Sequence, residues 1–247
     1  MKRYLEAQVR ADLARKMVLL GGPRQVGKTF LGKTILGRST AGYLNWDIPA
    51  QRQQILKREL PSTKLLVFDE IHKYRGWRNY IKGVFDEFHP QKRLLVTGSA
   101  RLDLYRFGGD SLQGRYHLLR LHPFSARELK LRTPGELRDL LTLGGFPEPC
   151  LAGSEVEARR WSREYRTRLI REDVTSLERI VDLGHLELLM LRLPELVGSP
   201  LSINALREDL QVSHKAAAAW LSALERLYAI FRLPPFGAPK GDSRKIA

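Results

Sequence analysis

Five short apolar runs recur through the first half of the chain, at 17–20, 43–45, 65–69, 93–97 and 116–121, each closed by polar or glycine-containing segments. Those at 17–20, 65–69 and 93–97 are continuous rather than alternating, the pattern of strands buried on both faces of a parallel sheet, and 43–45 and 116–121 read as further short strands. Helical periodicity fills the gaps. Residues 77–88 place Trp77, Tyr80, Ile81, Val84, Phe85 and Phe88 at i, i+3, i+4, i+7 spacing, one face of an amphipathic helix. Residues 48–60 predict a polar helix stopped by Pro61, and residues 1–16 an amphipathic N-terminal helix. Strands alternating with helices predict an α/β domain with a parallel sheet flanked by helices.

From Glu128 onward the pattern is helical. The segment Gly144-Gly145-Phe146-Pro147-Glu148-Pro149 reads as a rigid loop between helices. Residues 155–180 predict a long helix with Trp161, Tyr165 and Leu169 on one face and Arg159, Arg160, Arg163 and Arg166 around them; interspersed acids favour a solvated amphipathic helix, with a nucleic-acid stripe as the alternative. Residues 186–193 read as a buried run interrupted by Pro194. Residues 201–232 predict two helices, capped by Ser202 and Ser213, and then a strand, the order of a winged helix-turn-helix. Its second helix offers His214, Lys215 and Arg226 beside a run of alanines, so the module reads either DNA or a protein, or is structural.

Composition adds little to the fold but bounds the setting. Of 247 residues, 43% are hydrophobic and 28% charged, and no apolar run approaches the ~18 residues of a membrane span. With one cysteine, Cys150, the chain has no internal disulfide and suits a reducing cytoplasm; that thiol reads as a small buried hydrophobe. The net charge of +15 is uneven: residues 1–130 carry 25 Lys/Arg against 11 Asp/Glu, and the remainder 17 against 16. A basic first half is either a solvated surface or one that attracts polyphosphates or nucleic acid.

Candidate chemistry gathers at the ends of the runs. After 17–20 comes Gly22, Pro23, Arg24, Gln25, Val26, Gly27, Lys28, Thr29, which fits G-x-x-x-x-G-K-[ST], a loop whose amides, lysine and hydroxyl surround a nucleotide's phosphates and Mg²⁺. Phe30 follows in the first turn of the helix that the loop opens, where unpaired amides and the dipole favour an anion. An overlapping match, 27–34, would lie inside that helix, so Lys33 and Thr34 are read as helix residues. The run 65–69 ends in Asp69 and Glu70, positioned to hold Mg²⁺ and to deprotonate an attacking water respectively. The run 93–97 ends in Thr97, followed by Ser99; either could contact a γ-phosphate or the water, and Ser99 could instead cap a helix. Arg115, set among glycines, is the leading arginine finger, in cis or from a neighbouring subunit; Arg101 is second, and a surface arginine is the alternative. The three strand ends belong at the carboxyl edge of one sheet, where ligands bind.

The stretches 21–29 (GGPRQVGKT), 65–73 (LLVFDEIHK), 94–101 (LLVTGSAR), 111–115 (SLQGR) and 144–161 (GGFPEPCLAGSEVEARRW) together resemble the prokaryotic AAA+-type ATPase family whose members join a P-loop domain to a C-terminal domain of unknown function. The resemblance implies a P-loop NTPase sheet, with ATP and Mg²⁺ as ligands. It puts Lys28 and Thr29 in the Walker A role and Asp69 and Glu70 in the Walker B role, and it supports Arg115. The organisation expected is a P-loop domain at 1–130, a helical linker at 131–195, a winged-helix-like module at 196–235 and a tail at 236–247. Such proteins usually continue into a further domain, so the chain, ending at Ala247, is expected to be a truncated member. The expected activity is Mg-dependent conversion of ATP to ADP and phosphate, coupled to movement of the helical half. A protein client, a homo-oligomer and DNA are the candidate partners, with no membrane. A GTPase fits less well, for want of an N-K-x-D element, and a kinase for want of an acceptor lid. The alternatives are a DNA-binding regulator with ATP as ligand only, or a non-hydrolysing remnant.

Overall fold

All five apolar runs form strands, and these pair into one parallel sheet. The computed structural model describes residues 2–98, 112–174 and 182–234. Its strands are β1 (Met17–Gly21), β2 (Tyr43–Asn45), β3 (Leu65–Asp69), β4 (Arg93–Thr97) and β5 (Tyr116–Arg120), in the order β2-β3-β4-β1-β5. The register pairs Asn45 with Asp69, Asp69 with Thr97, Leu20 with Thr97 and Gly21 with Arg120. The carboxyl ends are therefore level, and β1 lies between β4 and β5.

Alternate side chains feed two cores, one on each face. Met17, Leu19, Leu66, Phe68, Leu94 and Val96 pack with Ile55 of α3 (Pro49–Leu56) and with Trp77, Ile81, Val84 and Phe85 of α4 (Trp77–Phe88). Val18, Leu20, Val67 and Leu95 pack with Val9 of α1 (Glu6–Asp12) and with Leu31 and Ile35 of α2 (Lys28–Leu36). Burial on both sides explains why the runs of β1, β3 and β4 lack alternation, while β5, at the sheet's edge, is only half-buried. Phe68, at 0% exposure, is the kind of side chain whose truncation costs ~3–5 kcal/mol. The polar helix expected over 48–60 stops at Leu56, because Arg58 turns to a positive φ of 58°.

The chain divides into two compact units, Met1–Ala158 and Arg159–Ala247. The first continues after β5 through α5 (Ala126–Leu129), α6 (Pro134–Leu143) and α7 (Pro147–Ala152), and the boundary falls within α8 (Glu155–Arg168). Capping boxes at Ser125/Glu128 and Thr133/Glu136 start α5 and α6. In the second unit α8 passes into a π-helical stretch, Leu169–Val174; the rest of the predicted 155–180 helix lies outside the described residues. Next comes α9 (Leu183–Arg192), which buries Leu186 and Leu189 but exposes Leu188 and Leu191, so it is half-buried rather than buried.

The final helices are α10 (Ile203–Asp209) and α11 (His214–Arg226), with Ser202 and Ser213 capping them through Ala205 N and Ala216 N. Here the wing expectation meets a difference. Residues 227–234 form a turn and an irregular segment, and no strand follows α11 among the described residues. Ala217 and Ala223, with Trp220, Leu221 and Leu224, are the buried face of α11. The alanine run is in part a packing surface that lets α11 approach α10 closely.

Candidate functional site

The loop after β1 is shaped by two glycines. At Gly22, φ is +146° and a Cβ would come within 2.4 Å of the Leu121 carbonyl oxygen; at Gly27, φ is +95° and a Cβ would meet the Arg3 guanidinium at 3.2 Å. Neither place admits an ordinary side chain. Gln25 is also left-handed, with φ 62°. These turns bring the chain into α2 at Lys28, and the first-turn amides of a helix lack intrahelical partners, a donor set suited to an anion. Val26 is buried beneath the loop and Phe30 is exposed. Gly22 and Pro23 are buried and Arg24 half-buried. The buried Lys28 ammonium donates to the carbonyls of Gly22 at 3.1 Å and Pro23 at 2.6 Å, folded over the loop it serves.

Asp69, at the tip of β3 and 2% exposed, collects three hydroxyls. Thr29 Oγ1 and the Tyr43 phenol both donate to Oδ2, at 2.7 and 2.6 Å, and Thr97 Oγ1 donates to Oδ1 at 2.5 Å. Three strands and α2 thus meet on one carboxylate. The Tyr43 pKa is pushed well above the usual phenol range, by burial first and then by Asp69, so the phenol stays a donor. Among the described residues no cluster of three His, Cys, Asp or Glu side chains forms a metal cage. A hydroxyl and one carboxylate beside a phosphate-shaped loop fit Mg²⁺, which takes few protein ligands and keeps waters and phosphate oxygens. Thr29 and Asp69 are the residues that would hold it.

Glu70 follows in a left-handed conformation, φ 57°, with its amide donating to the Thr97 carbonyl at 3.0 Å. Its carboxylate lies 3.4 Å from Lys73 Nζ and 3.7 Å from His72 Nε2. Burial, and after it the neighbouring Asp69, raise the Glu70 pKa against the lowering effect of Lys73 and Lys28. A raised carboxylate pKa is the adjustment a general base requires.

Two expectations change. Thr97 is fully buried with its hydroxyl committed to Asp69, so it positions that carboxylate rather than contacting a γ-phosphate. Arg115 stands at the amino end of β5, where its carbonyl accepts from Met17 N, while the loop begins beyond Gly21 at the other end. Five residues of strand separate the two, about 17 Å at the usual rise. Its guanidinium pairs instead with Asp86, at 2.7 and 3.2 Å. Contact with its own chain's loop is excluded. Ser99 and Arg101 lie outside the described residues. Lys33 and Thr34 are helical, as read: Lys33 Nζ lies 4.8 Å from the Tyr43 ring centroid and Thr34 Oγ1 donates to Phe30 O. Cys150 is half-buried and burial raises its thiol pKa, the reverse of an activated nucleophile.

The sequence reading missed Arg3 and Tyr43. Arg3, 3% exposed, bonds Val26 O in the loop at 2.6 Å, His122 O at 2.5 Å and Glu128 Oε1 at 2.9 Å, and lies over the Phe124 ring. One guanidinium thereby ties the N-terminal segment, the phosphate-shaped loop and the turn after β5. Pro147 approaches the same loop, its Cγ 3.9 Å from where a Gly27 Cβ would lie. A basic residue beside an aromatic ahead of an amphipathic helix gave no local sign of this, since its partners are 23 to 125 residues away.

Comparison with known proteins gives residues 14–130 a match to the model of a family described as an AAA domain, and residues 135–247 a match to a domain of unknown function. Uncharacterised proteins of Mycobacterium bovis and Mycobacterium tuberculosis are each 25% identical over 99% of this chain and 56% of their own length. The chain thus spans about half the length of the curated relatives it matches. Among solved structures, Aeropyrum pernix ORC1 in complex with DNA is 16% identical, covering 92% of this chain and 84% of that one, with a TM-score of 0.42. The Thermotoga maritima RuvB Holliday junction branch migration motor is 17% identical, covering 93% and 87%, with a TM-score of 0.40. No helix among the described residues is long and apolar enough to cross a membrane.

Proposed function

We propose that this chain, which joins an AAA domain to a domain of unknown function, binds Mg-ATP and hydrolyses it to ADP and phosphate. The observation that carries the reading is the convergence of Lys28, Thr29, Asp69 and Glu70 at the carboxyl edge of the sheet, around a loop whose amides open a helix. The loop amides and the Lys28 ammonium hold the β- and γ-phosphates, exchanging the carbonyls of Gly22 and Pro23 for phosphate oxygens. Thr29 and Asp69 hold Mg²⁺, which when bound neutralises charge on the phosphates. Glu70 orients the attacking water and accepts its proton, and Thr97 keeps Asp69 in place. Movement of the helical half accompanies the cycle, and a second copy of the chain is the partner toward which Arg115, at the far edge of the sheet, would act.

The test is calorimetric titration of ATP with Mg²⁺ into the wild type and Lys28→Ala, with phosphate release followed in parallel. Binding and release by the wild type, both lost in Lys28→Ala, are expected. Equal affinity of the two proteins would overturn the assignment.

A further inference from the structure

Asp69 is loaded with donors in a way that leaves little of it free. A carboxylate offers about four lone-pair directions, two on each oxygen. Thr29 and Tyr43 together occupy Oδ2, and Thr97 occupies one direction on Oδ1. One acceptor direction remains, on Oδ1. Thr29 is needed at the metal and Thr97 is buried at the centre of the sheet, so the donor that fills Oδ2 without another task is Tyr43.

Tyr43 is built into this position. It sits on β2, beside β3, 9% exposed. Asn45 Nδ2 donates to its phenolic oxygen at 3.2 Å, which turns the phenol's own hydrogen toward Asp69. Asn45 is itself fixed, with its amide N–H on Gln51 Oε1 and its Oδ1 on the amide of Asp47. From α2, Lys33 covers the ring face at 4.8 Å, a cation–π contact that holds the ring in plane. The phenol is therefore aimed from three sides.

Mg²⁺ and Ca²⁺ differ in what they ask of a carboxylate. Ca²⁺ takes six to eight oxygens and accepts bidentate carboxylates, whereas Mg²⁺ keeps its waters in a strict octahedron. With Oδ2 filled by two hydroxyls, Asp69 has no second oxygen to offer a bidentate ion, yet its remaining Oδ1 direction suits one metal-bound water. We propose that Tyr43 is a specificity-determining residue which, by capping Asp69 Oδ2, makes the site select Mg-nucleotide over Ca-nucleotide. The inference rests on the Mg-ATP reading above and names a residue and a selectivity that the reading does not require.

The experiment measures equilibrium affinity for a fluorescent, non-hydrolysable ATP analogue in EDTA, in Mg²⁺ and in Ca²⁺, for wild type and Tyr43→Phe. Thermal unfolding of both proteins checks the fold. The wild type should bind more tightly with Mg²⁺ than with Ca²⁺. Tyr43→Phe should keep the EDTA affinity while its Mg²⁺-to-Ca²⁺ preference falls about tenfold, the effect of one hydrogen bond to a charged group. An unchanged preference, or equal losses in EDTA and in both metals, would overturn the proposal and leave the Mg-ATP reading standing. Failure of the wild type to bind under any of the three conditions would refute both.

Discussion

Asp69 and Thr97 are register partners on neighbouring strands, and the Thr97 hydroxyl donates to Asp69 Oδ1 at 2.5 Å in a fully buried position. The bond joins the strand that ends in the carboxylates to the strand beside β1, and so fixes one half of the site against the other. Removing a buried donor from a charged acceptor costs ~1–3 kcal/mol. Thr97→Val, equal in volume, should lose stability by that amount, and Thr97→Ser should keep most of it. Urea denaturation of the three proteins measures this; a valine variant as stable as the wild type would mean that the bond contributes nothing.

Arg3 and Glu128 form an ion pair with side chains 2% and 4% exposed. Arg3→Ala leaves that carboxylate with the Tyr4 and Ser125 amides but without its cationic partner, and should destabilise the protein by ~1–3 kcal/mol. Arg3→Lys should recover only part, since one ammonium does not span Val26 O, His122 O and Glu128 as the planar fork does. Denaturant midpoints of the two variants, compared with the wild type, provide the check.

The same pair predicts an acid dependence. Burial alone would raise the Glu128 pKa, but the amides of Tyr4 and Ser125 and the Arg3 guanidinium outweigh it and hold the carboxyl below its ordinary 4.5. The unfolded chain then binds more protons, so the contribution is present above that ordinary value and is lost as pH falls through the lower folded one. The thermal midpoint of the wild type should drop over this range. In Arg3→Ala the drop should be shallower; an equal drop would place the acid sensitivity elsewhere.

Arg115→Ala should leave ATP affinity unchanged, because the guanidinium is engaged by Asp86 at the opposite edge of the sheet from the loop. The rate at high dilution should also be unaltered. If Arg115 serves a neighbouring copy, the variant should lose only the part of the rate that rises with protein concentration. A weaker Kd for ATP in the dilute variant would contradict this placement.

Much of this was legible in the sequence because the features are local. Buried parallel strands write themselves as unbroken apolar runs, and Gly22 to Thr29 declares a loop whose backbone only that spacing allows. Asp69 and Glu70 were legible as the end of such a run. Arg3 was not, since it is made functional by partners at Val26, His122 and Glu128 that only tertiary folding assembles. Tyr43 was read as a strand residue and no more, because the pairing of β2 with β3 is what aims its phenol at Asp69. For Arg115 only half of the reading could be decided: strand direction puts it at the amino end of β5, away from its own chain's loop, while action on a neighbouring copy remains a proposal. The strand expected at the end of 201–232 is absent among the described residues, where 227–234 form a turn and an irregular segment.

The proposed hydrolysis depends most directly on Glu70, the carboxylate assigned there as the base, which follows Asp69 in a left-handed conformation and whose pKa is raised by burial. The measurement is phosphate release from saturating Mg-ATP by wild type and Glu70→Gln, with ATP affinity determined for both. Retained affinity with release slowed by ~10²-fold or more is predicted, the usual contribution of a positioned base. Release at the wild-type rate by the glutamine variant would contradict the account.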